Sequence, residues 1–124
     1  LENRPTAPSR GPSEKFKNKD VARDLWVAIL QRVQKDTPQD LAFAIIEADK
    51  LIDTILKSSG FAGETMAERM KRINPHQLTS VEDLWEAHKI RNDIVHTPGY
   101  VVTHELAKKV LRNYEKVLKE LEAI

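Results

Sequence analysis

"AFAIIEADKLIDTILKSS", residues 42–59, is the stretch of this sequence that decides the fold. Its apolar residues recur three and four positions apart, which is the period of an amphipathic α-helix. Thr37 followed by Pro38 is typical of a helix start, and Gly60 is typical of a helix stop. The apolar stripe is broad enough for a helix at the centre of a bundle. It comprises Leu41, Ala44, Ile45, Ala48, Leu51, Ile52 and Ile55.

Four other segments show the same periodicity. Residues 20–35 place Val21, Leu25, Ile29 and Val33 four apart, with Trp26 and Leu30 beside them, and we expect an amphipathic helix with these side chains on its apolar face. A short helix is predicted within residues 65–73. A fourth helix over residues 81–96 must end before Pro98, because the residue that precedes a proline disfavours helical geometry.

Side-chain caps are predicted at the starts of the last two helices. Ser80, with Asp83 three residues later, is a capping signal for the fourth helix. Thr103 is the predicted cap of a fifth helix, which continues to the end of the sequence. Its apolar residues alternate spacings of four and three, which is typical of a core or coiled-coil seam: Leu106, Val110, Tyr114, Val117, Leu121 and Ile124.

Composition agrees with one helical domain. The chain has 124 residues, of which 40% are hydrophobic and 6% aromatic, which suits a single core built from packed helices. We therefore predict an all-α, up-and-down bundle of four long helices and one short helix over residues 20–124. Residues 1–19, rich in Pro, Ser, Gly and charge, are predicted to be a disordered N-terminal arm or linker.

Cysteine content, the length of apolar runs and net charge limit the classes of function that the sequence can have. No cysteine is present, and no apolar run reaches membrane-spanning length, so we expect a cytoplasmic protein. A membrane is a partner only if a segment upstream of Leu1 is missing from this sequence. Residues 1–19 carry five Lys/Arg and two Glu, a net +3, which leaves 15 basic and 17 acidic residues, a net −2, for residues 20–124. Any contact with RNA must therefore be local.

The fourth helix has an unusual distribution of side chains. On a helical wheel its apolar residues cover about two-thirds of the circumference, which exceeds the roughly 100° stripe of an ordinary bundle helix. This breadth predicts that the helix contacts both its own core and a partner. We expect a homodimer through the helix 81–96.

Polar residues stand inside that apolar arc. His88, Asn92 and His96 are four apart and form a ladder along one side, while Arg91 lies about 140° from His96. Two copies related by a twofold axis could place the Arg91 of one beside the His96 of the other. The structural alternative for Arg91 is an ion pair with Asp49 or Asp53, and a histidine in this arc can equally be a satisfied core residue.

"RNDIVH", residues 91–96, resembles the signature of HEPN domains, in which an Arg, a polar residue that is usually Asn and a later His end the penultimate helix. "AIIEADKLIDTIL", "GETMAERMK" and "DLWEAHKIRN" also resemble small, mostly uncharacterised bacterial proteins with this domain. The resemblance covers about residues 20–124 and implies a HEPN-like bundle that dimerises across the motif helix.

Active HEPN domains are metal-independent ribonucleases, many of them toxins or defence effectors. The resemblance implies that His96 is the general acid/base, that Arg91 stabilises the phosphate and that Asn92 orients the other two. His88 is a candidate binding residue on the same ladder. The resemblance also implies an RNA substrate, an antitoxin as a candidate partner and no cofactor. An imidazole can exchange protons near neutral pH, and a guanidinium is a planar fork suited to phosphate.

Two hypotheses remain open at this stage. The first is a dimeric HEPN ribonuclease; the second is a non-catalytic dimerisation or nucleotide-binding module. A zinc enzyme is disfavoured because the chain has four histidines and no cysteine or clustered ligand pattern. Serine catalysis has no histidine–carboxylate pair that spacing places near a serine.

Overall fold

The structure is a computed structural model that describes residues 18–124. Within that range the chain forms five α-helices and no β-strand. In chain order they are α1 (Lys19–Val33), α2 (Pro38–Ser58), α3 (Met66–Lys71), α4 (Val81–His96) and α5 (His104–Glu120). The prediction of a helical bundle with four long helices and one short helix is confirmed. Residues 1–17, which hold most of the predicted arm or linker, lie outside the described residues.

Helix α2 is the centre of the bundle. It packs against α1, α4 and α5, while α5 also packs against α4. All seven residues of its predicted apolar stripe are buried. Because each fully buried aliphatic side chain contributes about 1.5–3 kcal/mol, this stripe organises the core around α2.

Local hydrogen bonds fix the ends of the helices. The hydroxyl oxygens of Thr37 and Thr103 accept backbone N–H groups at 3.0 and 3.1 Å, so both predicted caps are confirmed. Thr65 caps α3 in the same way. The predicted side-chain cap by Ser80 is wrong, because the Ser80 hydroxyl instead donates to Glu120 Oε1 at 2.7 Å.

Glu120, in the last turn of α5, caps the start of α4 with its carboxylate. Its carboxylate accepts the backbone N–H groups of Thr79 and Ser80 at 2.6 and 2.9 Å, together with both hydroxyls. Partial burial raises the pKa of Glu120, but these hydrogen bonds outweigh burial and leave its pKa below the ordinary value. A contact 40 residues away in sequence thus replaces the local cap.

The buried face of α1 differs from the predicted one. Ala22, Trp26 and Ile29 are buried, whereas Val21 and Leu25 are 56% and 49% exposed. Helix α1 lies at the edge of the bundle against α2, and its rotation places the large Trp26 indole in the core in place of two aliphatic side chains. Among residues 18–124, no helix has both the length and the apolar character that membrane crossing requires.

Candidate functional site

A buried carboxylate on α2 is the anchor of the site. Asp49 is 3% exposed and lies in the apolar stripe of the central helix. Its Oδ1 accepts a hydrogen bond from the Tyr114 hydroxyl at 2.8 Å, and its oxygens lie 3.0 and 3.2 Å from Nδ1 of His88. A carboxylate can remain in a core only when such donors satisfy its oxygens. Asp49 therefore ties α2 to both α4 and α5.

Tyr114 contributes a donor that stays protonated. Burial raises the pKa of the Tyr114 phenol well above its usual value, and the charge and hydrogen bond of Asp49 raise it further, while Arg91 acts weakly in the opposite direction. The hydroxyl consequently donates to Asp49 across the pH range in which the protein would work.

His88 is held by the same carboxylate. A carboxylate accepts hydrogen bonds, so contact with Asp49 favours a ring proton on Nδ1, and in the neutral imidazole with that tautomer Nε2 carries the lone pair. The ring is mostly buried and meets the Trp85 ring edge-on, with centroids 6.3 Å apart. Within residues 18–124, Nε2 has no hydrogen-bond partner and is not enclosed. This nitrogen is the reactive end of the Asp49–His88 pair.

Arg91 stands beside the same carboxylate but is only half-buried. Its Nε lies 3.6 Å from Asp49 Oδ2, which is an ion-pair distance beyond hydrogen-bond reach, and its side chain is 32% exposed. Nη1 donates to Asn92 Oδ1 at 2.9 Å. The structural alternative for Arg91 is thus realised with Asp49. Asn92 thus holds one nitrogen of a guanidinium that remains partly exposed.

These side chains line a cleft between α2 and α4, which we call the α2–α4 cleft. Its volume is about 440 Å³, and residues 65–67 form one wall. The polar lining consists of Asp49, Lys50, Asp53, Thr65, His88, Arg91 and Asn92. Two cations, Lys50 and Arg91, and two carboxylates therefore line the same space, which could hold a phosphodiester group.

A second depression adjoins the first on the other side of α4, and we call it the Trp85 groove. It measures about 470 Å³ and is lined by Trp85, Lys89, Glu82 and Glu86. His88 and Asn92 line both depressions. These two side chains thus lie where the two depressions adjoin.

A buried arginine shapes the wall formed by α3. Arg69 is 2% exposed and its Nε donates to Asp53 Oδ1 at 2.8 Å. Its Nη1 donates to the carbonyl oxygens of Gly63 and Phe61 at 2.7 and 3.3 Å. Asp53 is thus paired with Arg69, whereas the carboxylate beside Arg91 is that of Asp49.

His96 is placed differently from the other predicted site residues. It is the last residue of α4 and is exposed, and it does not line the α2–α4 cleft. Along one helix, Arg91 and His96 are separated by about 7.5 Å in rise and about 140° in direction. A single protomer thus brings Arg91, Asn92 and His88 together and leaves His96 outside.

Sequence reasoning named Arg91, Asn92 and His88 and offered Asp49 and Asp53 as alternative partners of Arg91, but it missed the roles of Tyr114 and Arg69. Tyr114 was predicted only as a core residue, although a buried tyrosine hydroxyl signals a polar partner nearby. Arg69 gave no signal, because nothing local distinguishes it from the exposed basic residues around it. No group of three or more His, Asp or Glu side chains in the described part of the chain has the arrangement of a metal site.

Comparison of the chain with known protein families, with curated proteins and with solved structures finds no match.

Proposed function

We propose that this domain is a metal-independent endoribonuclease of HEPN type that acts as a homodimer. The observation that carries the proposal is the environment of Arg91. Its guanidinium is fixed by Asn92 at one nitrogen, lines an open cleft and keeps N–H groups for a phosphate. The resemblance of residues 91–96 to the HEPN signature points to the same two side chains.

The chemistry follows from those groups. In metal-independent RNA cleavage the ribose 2′-oxygen attacks the adjacent phosphorus, the bond from phosphorus to the 5′-oxygen breaks, and a 2′,3′-cyclic phosphate forms. Arg91 would stabilise the negative charge that grows on the phosphoryl oxygens. His96 would exchange a proton with the reacting oxygens.

A homodimer would complete the site. Arg91 and His96 diverge on one helix, and a twofold axis that crosses α4 between them would bring the Arg91 of one protomer to the His96 of its partner more readily than one helix can. Beside His96, Val95 is 48% exposed, and Ile90 and Ile94 are only partly buried in the single chain. These side chains offer apolar area for the second copy at the same end of the helix.

The biological setting follows from the resemblance alone. HEPN ribonucleases of this size often act as toxins or defence effectors, so a toxin–antitoxin or defence role in the cytoplasm is part of the proposal. An antitoxin would then be the natural protein partner.

The ion pair with Asp49 favours a second candidate function, a non-catalytic dimerisation or nucleotide-binding module. A carboxylate 3.6 Å from Arg91 Nε offsets part of the charge that a phosphate would meet. The same cleft could then bind a nucleotide without cleaving it.

The experiment that separates the two is cleavage of several RNAs by the purified chain in EDTA. The ribonuclease proposal expects products with cyclic-phosphate ends, lost in His96→Ala and in Arg91→Ala. His76→Ala changes an exposed histidine that lines neither depression and is the matched control. Nucleotide binding by an intact dimer without cleavage of any RNA would instead support the second function.

A further inference from the structure

RNA cleavage without a metal requires two proton transfers in each site. One group must take the proton of the 2′-hydroxyl, and another must give a proton to the departing 5′-oxygen. The motif of residues 91–96 supplies one imidazole for each composite site, and a guanidinium does not deprotonate. A second proton carrier is therefore needed beside Arg91.

His88 has the geometry of such a carrier. Asp49 holds its Nδ1–H from within the core, which fixes the ring and would stabilise the imidazolium formed when Nε2 takes a proton. Nε2 has no partner within residues 18–124, and the side chain lines the cleft together with Arg91 and Asn92. A carboxylate–imidazole pair beside a guanidinium exceeds what packing of α4 requires.

The charged and titratable groups around the His88 imidazole are compatible with its role as a proton carrier. Asp49 faces it from α2, and Tyr114 on α5 reaches it only through Asp49. Arg91 stands one turn further along α4, and Lys50 and Asp53 complete the charged lining of the cleft. The hydrogen-bond contacts of His88 within residues 18–124 are made through Nδ1 to Asp49, and none of the other groups is hydrogen-bonded to Nε2.

We propose that His88 is the general base of the ribonuclease, with Asp49 as its positioning residue and His96 of the partner subunit as the general acid. Nε2 of His88 takes the 2′-hydroxyl proton as the 2′-oxygen bonds to phosphorus. The His96 imidazolium gives a proton to the 5′-oxygen as its bond to phosphorus breaks. One proton enters the site and one leaves it, so no cofactor or oxidant is required. This assignment rests on the proposed ribonuclease function.

The test compares two substrates that differ in their need for an acid. RNA has an alkoxide leaving group that must be protonated, whereas uridine 3′-(4-nitrophenyl phosphate) releases a stable phenolate. We expect His88→Gln to lower kcat/KM by about 10² to 10⁴-fold on both substrates. His96→Ala is expected to lose comparable activity on RNA but to regain most of it on the nitrophenyl ester. The glutamine introduced by His88→Gln cannot carry a proton between substrate and solvent, yet its amide can still donate to Asp49 and preserve the fold.

The controls keep the outcomes separate. His104→Gln alters another histidine whose Nδ1 contacts a carboxylate, Asp36 at 2.7 Å, but which lines neither depression, and it should keep wild-type activity. A His88→Gln variant within about threefold of wild type on RNA, or one restored on the nitrophenyl ester, overturns the assignment while the ribonuclease function stands. Wild-type protein that cleaves neither substrate overturns both proposals.

Discussion

The carboxylate of Asp49 lies 3.0 Å from Nδ1 of His88, and the two side chains are only 5% and 8% exposed. The same carboxylate accepts the hydroxyl of Tyr114. Asp49 thus contacts both a buried core residue and a residue that lines the cleft. It satisfies a tyrosine on α5 and orients an imidazole on α4, so the stability of the bundle and the geometry of the site depend on one side chain.

Replacing Asp49 is expected to be costly. Asp49→Ala leaves the Tyr114 hydroxyl and the His88 Nδ1–H without their acceptor and the Arg91 guanidinium without its ion-pair partner, and we expect a loss of about 3–5 kcal/mol in the free energy of unfolding, measured by urea denaturation. Glu115→Ala, which breaks the exposed ion pair with Lys119, should cost less than about 1 kcal/mol. Similar losses for the two variants would show that Asp49 does not anchor the core.

Mixed dimers test how the proposed site is shared between subunits. If the Arg91 of one protomer works with the His96 of its partner, a heterodimer of Arg91→Ala and His96→Ala contains one intact site and one doubly defective site. Random mixing of the two inactive variants should then restore about a quarter of wild-type ribonuclease activity. Catalysis confined within one protomer would give no restoration.

The position of His88 predicts a pattern for the same assay. His88 and Arg91 line one cleft of one protomer, so His88→Gln should complement His96→Ala and should fail to complement Arg91→Ala. Complementation in the opposite pattern would place His88 and Arg91 in different sites. Each mixture requires a check by native mass spectrometry that heterodimers have formed.

Much of the scaffold was predictable because its signals are local. The stripe of α2 repeats with the helical period, and Thr37 and Thr103 sit directly before the helices that they cap. The face of α1 was not predictable in this way. Trp26 is buried whereas Val21 and Leu25 are exposed, and this outcome depends on the shape of the α2 surface against which α1 packs.

The sequence identified several residues of the candidate site, but it did not identify the contacts between them. Arg91, Asn92 and His88 were recognised because they interrupt an apolar arc of one helix. The partner of Arg91 could not be chosen between Asp49 and Asp53, which lie one turn apart on the same helix. In the structure Arg91 lies 3.6 Å from Asp49, while Arg69 from a third element pairs with Asp53. The ion-pair partner of Arg91 therefore depends on tertiary contacts, which the pattern of one helix does not reveal.

Arg69 should control the wall of the cleft formed by residues 61–71. Arg69→Ala removes the ion pair with Asp53 and the donors to two loop carbonyl oxygens, and we expect a loss of about 3–5 kcal/mol in the free energy of unfolding. Hydrogen exchange should quicken first in residues 61–71. Arg23→Ala breaks only the exposed pair with Asp20 and should change neither measurement appreciably.

Glu120 gives the bundle a specific response to acid. Its pKa in the folded chain is below the ordinary value of 4.5 because hydrogen bonds from Ser80 and Thr79 outweigh the effect of partial burial. A carboxylate with a lowered folded pKa contributes stability that is complete above its unfolded pKa and is lost as the pH falls through the folded pKa. The junction between α4 and α5 should therefore weaken below about pH 4.5.

The variant Glu120→Gln isolates this response. At pH 7 it should be less stable than wild type by about 1 kcal/mol, the usual value of a lost helix cap, because an amide accepts hydrogen bonds more weakly than a carboxylate. In urea denaturation series from pH 7 to pH 3, the difference between the two proteins should shrink as wild-type Glu120 becomes protonated. Glu122→Gln, a change at an exposed carboxylate, is the matched control. A difference between Glu120→Gln and wild type that stays constant down to pH 3 would mean that the carboxylate charge contributes nothing to the junction.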